Sequence, residues 1–473
     1  MKQINIIALL FVTVSMYSCG EDYLSPAPIS SIGGDAFYSN ESELLTAVIN
    51  MYDGIQGINS TSANDNHGIQ VEFQLTEMRS DNTRTKSSEG EPSQFESFSV
   101  VSTNGVVADY YSSFYNVIFR ANVVLDNLGV ASESTASKFE GEAKFVRAYA
   151  YFNLVRLFGD IPLVEATVLP TDTKSAFTRV AASDVYALIV SDLTTAAASL
   201  DNTHKNRASK AAAQALLAKV QLTLGNYSEA KSLCESVMTS GFDLPSFKDV
   251  FYDEENSEVI FAIGYIGDSD EDSQNFSTEM THLGRSSGLN YVTNEMINAF
   301  TDFGGVDRAT LSYRPDPVQA NQWQVQKFVS DAATSTSLDV NNTSGDLTKA
   351  GNDWIVLRYA DVLLMHVEAI MAGSTSTTDA NAISSFQEVR DRAGLATPVT
   401  SITKQELMDE RRVELAFENH RLFDLIRFGE AQNVLGAFAT DNGFSFSSTD
   451  LLLPIPQREI GLSKGLLSQN PGY

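Results

Sequence analysis

Ala208–Met238, ASKAAAQALLAKVQLTLGNYSEAKSLCESVM, is the stretch on which the reading of this chain turns. Its first half is dense in alanine and leucine, both strong helix formers. Gly225-Asn226 then breaks the pattern, and both residues accept the left-handed backbone that a tight reversal needs. Beyond the break, Ala230, Leu233, Cys234, Val237 and Met238 recur at i, i+3, i+4, i+7 and i+8, one apolar face of a second helix. The small alanines let two such helices approach closely. A hairpin of two antiparallel helices is expected, with Cys234 in its core.

The hairpin resembles the tetratricopeptide helix–turn–helix unit, which buries its apolar face only by stacking on neighbours. Working outward, helical periodicity recurs over Glu41–Tyr52, Asp109–Leu128, Gly141–Phe158 and Ser183–Leu200. It returns at Ile355–Met371 and Ala380–Ala393. From about 242 to 352 the pattern loosens. Val259–Ile266 and Trp323–Val329 read as short strands, Tyr291–Phe300 as a short helix, and Gly267–Gly288 and Asp331–Asp353 as polar loops. The closing Leu451–Tyr473 carries Pro454 and Pro456 and reads as extended. No stretch looks like an interdomain linker. The expected fold class is mainly α: tetratricopeptide-like helical hairpins with a loop-rich insertion carrying a few short strands, all in one domain over 19–473.

A second informative stretch is Lys404–Gly429, KQELMDERRVELAFENHRLFDLIRFG. Leu407, Met408, Leu415, Leu422, Leu425 and Ile426 share a helical stripe, and Arg411, Glu414 and Glu418 fall on or beside it. Buried charges must be paired. Arg411 and Glu414 are three apart and can meet on one face. The expectation is an internal ion-pair lattice, broken near Asn419 into two helical pieces. Acid–base catalysis by Glu414 and Glu418 is disfavoured, because nearby arginines would keep both ionised.

Lys and Arg number 32 against 60 Asp and Glu, for a formal charge of −28 over 473 residues. So acidic a surface repels nucleic acid and anionic lipid faces, and neither is expected as a partner. Two cysteines, Cys19 and Cys234, offer no disulfide framework. Residues 1–18 read as a processed leader: Lys2, then an apolar run too short for a mature transmembrane helix, then Ser18 before Cys19. The pattern resembles a bacterial lipoprotein signal in which Cys19 is acylated and anchors the chain. Gly20-Glu21-Asp22 resembles the surface-export signal of Bacteroidetes lipoproteins.

These features accumulate into a resemblance to the SusD/RagB family of outer-membrane nutrient-binding lipoproteins. Its carriers, in order, are Cys19 with its acidic follow-on, the Glu142–Pro162 helix and stop, and Tyr291–Arg308. Arg358-Tyr359-Ala360-Asp361 with Glu368 follows, then Arg390–Leu395, Glu410–Leu415 with Arg421–Arg427, and the closing Leu453–Pro456 and Asn470–Tyr473. Asn419 departs from the glycine usual there, though both tolerate a left-handed backbone. The resemblance implies a non-catalytic protein facing the cell exterior from the outer membrane. It would bind oligosaccharides, or in one branch peptides, and act as the lid of a TonB-dependent SusC-like transporter.

The residues themselves offer no HExxH, CxxC or GxSxG. A secreted carbohydrate-active enzyme remains the rival class, although no carboxylate pair is singled out. Asp268, Asp270, Asp272 and Glu279 match the carboxylate spacing of an EF-hand calcium loop, but Ser273 takes the position where glycine is needed. No cofactor is otherwise indicated. Sugar recognition needs aromatic faces for C–H surfaces and polar groups for hydroxyls. Those types gather in two loops: Arg79, Asp81, Asn82 and Arg84 with Phe95 and Phe98, and Tyr291 with Trp323 near Asn290. Trp354 is assigned to the core.

Overall fold

A computed structural model describes residues 38–473, apart from 61, 63–64, 86–89, 169–172, 204–205, 255, 285–287 and 330–340. The leader and Cys19 lie outside the described residues. The helices are α1 (Glu41–Gln56), α2 (Gly105–Asp126), α3 (Glu133–Phe158), α4 (Ala182–Ser199), α5 (Lys210–Thr223) and α6 (Tyr227–Met238). After the middle segment come α7 (Tyr359–Met371), α8 (Ala380–Arg392), α9 (Lys404–Glu414), α10 (Arg421–Arg427) and α11 (Ala431–Asp441). Several shorter helices lie between these.

Each helix from α1 to α6 packs on the next, α7 returns to lie on α6, and α8 lies on α7. The opening stretch shows why. Ser209 Oγ accepts from the backbone N–H of Ala212 at 3.1 Å and starts α5. Gly225, at φ 76°, turns the chain into α6. Ala211, Ala212, Ala213, Ala215 and Ala218 are all buried, so α5 can sit against neighbours on several sides. Gly141 does the same for α3 and the end of α4: a Cβ there would lie 3.0 Å from Leu200 Cγ. Cys234 is fully buried, and burial pushes its thiol well up, as befits a core residue.

The middle segment supplies short antiparallel pairs. With β1 as Thr83–Arg84, β2 as Val259–Ile263, β3 as Tyr291–Val292, β4 as Tyr313–Pro315, β5 as Trp323–Val325 and β6 as Trp354–Arg358, the pairings are β1 with β3, β2 with β6, and β4 with β5. Several boundaries differ from expectation, three of them near the candidate site and the C-terminal segment. Tyr291 belongs to a strand, with the helix running only from Asn294 to Ala299. Trp354 is buried in the core as expected, but from β6 rather than from a helix. β6 is buried along nearly its whole length, so it shows no alternation, and it runs straight into the apolar α7. Beyond Pro456 the chain forms a short helix, Gln457–Leu462, instead of remaining extended.

The ion-pair lattice exists, with different partners from those expected. Arg411 reaches Asp424 on α10 at 2.8 and 3.0 Å and Asp361 on α7 at 3.0 Å, not Glu414. The Asp361 contact is ionic only, since its angle falls short of a hydrogen bond. Glu414 points the other way, to Arg358 at 2.7 Å, Arg308 at 2.9 Å and Arg392. Glu418 takes Arg358 and Lys327, each at 2.6 Å. Burial alone would raise the Glu414 carboxyl, but Arg392, Arg358 and Arg308 outweigh it and hold the group well below the usual range. Between the two helices, Phe417 and Asn419 take φ 67° and 64°, which is the expected break.

Candidate functional site

The two loops read separately from sequence form one surface. β1 and β3 pair with Arg84 opposite Tyr291, and β3 lies alongside β5. Arg84 and Trp323 are both half-buried, and Arg84 Nη2 donates to Gln322 Oε1 at 2.7 Å. The Trp323 indole meets the Tyr313 ring edge-on, with centroids 5.4 Å apart. The guanidinium on β1 thus reaches the residue next to the indole on β5, with β3 between the two strands.

Beneath them the polar groups are fixed from below. Tyr291 is fully buried, and its hydroxyl donates to Asp316. Asp316 also accepts from the backbone N–H groups of Val318 at 2.7 Å and Gln319 at 3.0 Å, which shapes the turn between β4 and β5. Burial, reinforced by the Asp316 carboxylate, drives the Tyr291 phenol far up, so it is a neutral donor. Burial would raise Asp316, but Tyr291 and the two backbone donors outweigh it and the carboxyl lies low. Asn290, at φ 58°, is fully buried, and neither amide atom has a hydrogen-bond partner among the described residues.

Five of the seven residues expected from sequence at the site are buried. Arg79 is enclosed and donates to the carbonyls of Leu75 and Asp450. Asp81 is clamped by Arg421 at 2.8 Å and Arg412 at 2.9 Å. Burial would raise its carboxyl, yet those two guanidiniums hold it far below the usual range. Asn82 Oδ1 accepts from Arg412 Nε at 2.9 Å while its Nδ2 donates to Glu77. Phe95 and Tyr291 are fully buried, and Phe98 packs on Phe446 at 4.9 Å. These groups face the interior because the loop is tied down onto α9 and α10, and a ligand cannot reach them without breaking those ties. Arg84 and Trp323 remain accessible. Gln322 was missed; its one sequence signal is its place beside Trp323 after the Asp316-Pro317 turn.

The acidic loop does not gather into a calcium cage. Asp268 accepts from Thr343 and Ser344, Asp270 faces Lys349, Asp272 accepts from Ser269 Oγ at 3.0 Å, and Glu279 lies in a short helix. Among the described residues no three carboxylate, histidine or cysteine groups converge on one point. The closest approach to a hydrolase arrangement is Ser385 Oγ at 2.9 Å from His366 Nδ1, with Glu235 3.7 Å from His366 Nε2. Ser385 is buried between helices, where no substrate reaches it.

Comparison with known proteins places this geometry in context. The family model described as "SusD family" matches residues 305–473, and that described as "Starch-binding associating with outer membrane" matches residues 35–222. SusD-like protein P2 of Formosa agariphila is 26% identical over 515 residues, covering 99% of both chains. The starch-binding protein SusD of Bacteroides thetaiotaomicron is 24% identical over 443 residues, covering 75% of this chain and 76% of that one. Among solved structures, a laminarin binding SusD-like protein superposes with a TM-score of 0.74 at 28% identity, covering 92% of this chain and all 100% of that one.

Proposed function

Since the chain belongs to the SusD family, we propose that it binds neutral oligosaccharide fragments at the Arg84–Trp323 surface and delivers them to a partner transporter. It is a glycan-binding protein of the outer membrane and not an enzyme. The observation that carries the site is a half-buried guanidinium on β1 that reaches Gln322, the neighbour of the half-buried Trp323 on β5, across the buried Tyr291 of β3, whose hydroxyl donates to Asp316. An indole face shields sugar C–H groups from water, and Arg84 and Gln322 serve hydroxyls. The starch and laminarin specificities of two relatives make α- and β-linked glucans the first ligands to test.

The finer parts of the reading are lipid anchorage through Cys19, exposure to the cell exterior, and a lid-like association with a TonB-dependent SusC-like barrel. The leader and the acidic residues after Cys19 support the first two. Isothermal titration of the soluble chain against maltohexaose, laminarihexaose and a peptide panel tests the ligand class. Heat with a glucan alone is expected; heat with peptides alone would contradict the site. Cys19→Ala should release the protein from membranes, and pull-down of the native protein should recover a barrel transporter.

A further inference from the structure

A second cleft lies away from the strands, between the turn Phe300–Val306 and the end of α8. Its volume is about 480 Å³, within the range of small-molecule clefts, roughly 300–1,000 Å³. Phe300 forms its floor and Leu395 a wall, while Phe303 and Val306 are 40% and 80% exposed at its rim. Apolar side chains that far out are costly to hydrate and gain from a cover.

The turn is built to hold this shape. Phe300–Gly304 is a π-helical turn, a form concentrated at functional sites. Arg308, wholly buried in the ion-pair lattice, donates to the carbonyls of Gly304 at 2.6 Å and Phe303 at 3.2 Å. Gly305 has φ 70°, and a Cβ there would lie 2.5 Å from the Ala393 carbonyl, so the turn is pressed against the residues after α8. Two charged groups face the cleft. Asp302 is exposed at the rim of the cleft. Arg390 is oriented by Glu410 at 2.9 Å, and its Nε is shielded from solvent without an acceptor.

We propose that this cleft is a second saccharide-contact site, taking a neutral sugar unit with its apolar face on Phe303 and Val306 and its hydroxyls on Asp302 and Arg390. A hydroxyl both donates to a carboxylate and accepts from a guanidinium, so a polyol satisfies both groups at once. An anionic glycan is disfavoured, because Glu410 already balances Arg390 and Asp302 repels negative charge. The floor ring, Phe300, contacts Tyr313 at 5.2 Å, and Tyr313 contacts Trp323 at 5.4 Å, so the two sites share one rigid aromatic support.

The inference rests on the glycan-binding reading, and the test separates the two. Laminarihexaose and maltohexaose are titrated by calorimetry into the wild type, Trp323→Ala, and Trp323→Ala combined with Asp302→Ala and Phe303→Ala. Circular dichroism confirms that each is folded; the added substitutions are at exposed positions. The expected result is weaker residual binding in Trp323→Ala that falls at least tenfold in the triple variant. Complete loss in Trp323→Ala, or residual binding unchanged in the triple variant, overturns the second site alone. Silence of the wild type towards both glucans overturns it together with the glycan reading.

Discussion

The fate of Asp81 is the clearest residue-scale lesson. A loop carrying arginine, aspartate and asparagine reads as a ligand surface, but the groups that claim Asp81 are Arg412 and Arg421, more than three hundred residues away. No spacing rule reaches that far. Arg84, three residues on, escapes because its strand ends at the surface. Asp81→Asn should leave two buried guanidiniums short of a charge and cost about 3–5 kcal/mol in chemical denaturation. Arg411→Ala should cost less than the ~3–5 kcal/mol of a fully broken buried pair, because Asp361 keeps Lys219 and Asp424 keeps Arg427, while glycan affinity of the folded fraction stays unchanged. Glu77 behaves oppositely. Burial raises its carboxyl from 4.5 to about 7, against hydrogen bonds from Asn82 and Asn419. The native state then keeps a proton that the unfolded chain has lost, so Glu77 removes stability as pH rises from 4.5 to about 7. Glu77→Gln should therefore raise stability above pH 7 by about 1–3 kcal/mol and change little at pH 4.

At the scale of elements, strongly periodic helices were legible in place and type, though one starts eight residues before its expected bound, at Glu133 rather than Gly141, and strands joined to them were not. The alanine-rich hairpin announced itself through Gly225-Asn226, its small alanines and its apolar spacing. Trp354–Arg358 did not, because a buried strand running into a buried helix leaves no polar punctuation between them. The charged stripe of α9 was correctly read as a lattice, but partner choice depends on which neighbour each side chain leans towards, and that is tertiary information. Asn419 illustrates the finer design. It accepts the left-handed turn between α9 and α10, and its Nδ2 donates to Glu72 Oε1 at 3.1 Å. Glycine would keep the turn and lose the bond. Asn419→Gly should then destabilise by about 1–3 kcal/mol, the cost of a buried acceptor losing its donor, as measured by thermal unfolding.

Across the whole molecule, stacked hairpins form a rigid body, and the loop-rich middle is fastened to it by ions as much as by apolar packing. Asp81, Asp361, Glu414, Glu418 and Asp424 all have carboxyls held below their ordinary range: burial opposes ionisation, and neighbouring arginines and lysines outweigh it. Their stabilising effect is complete above the ordinary carboxylate range. It is lost as pH falls through the folded values, with Asp424 at about 2. Unfolding free energy should drop steeply from about pH 5 downward, and the middle segment should become protease-sensitive first. Within this frame the proposed binding surface is small, and its central group is Trp323. The decisive measurement is calorimetric titration of a glucan hexasaccharide into wild-type protein and Trp323→Ala, with thermal unfolding of both. The account predicts at least a tenfold loss of affinity at unchanged melting temperature. Equal affinity in the two proteins would contradict it.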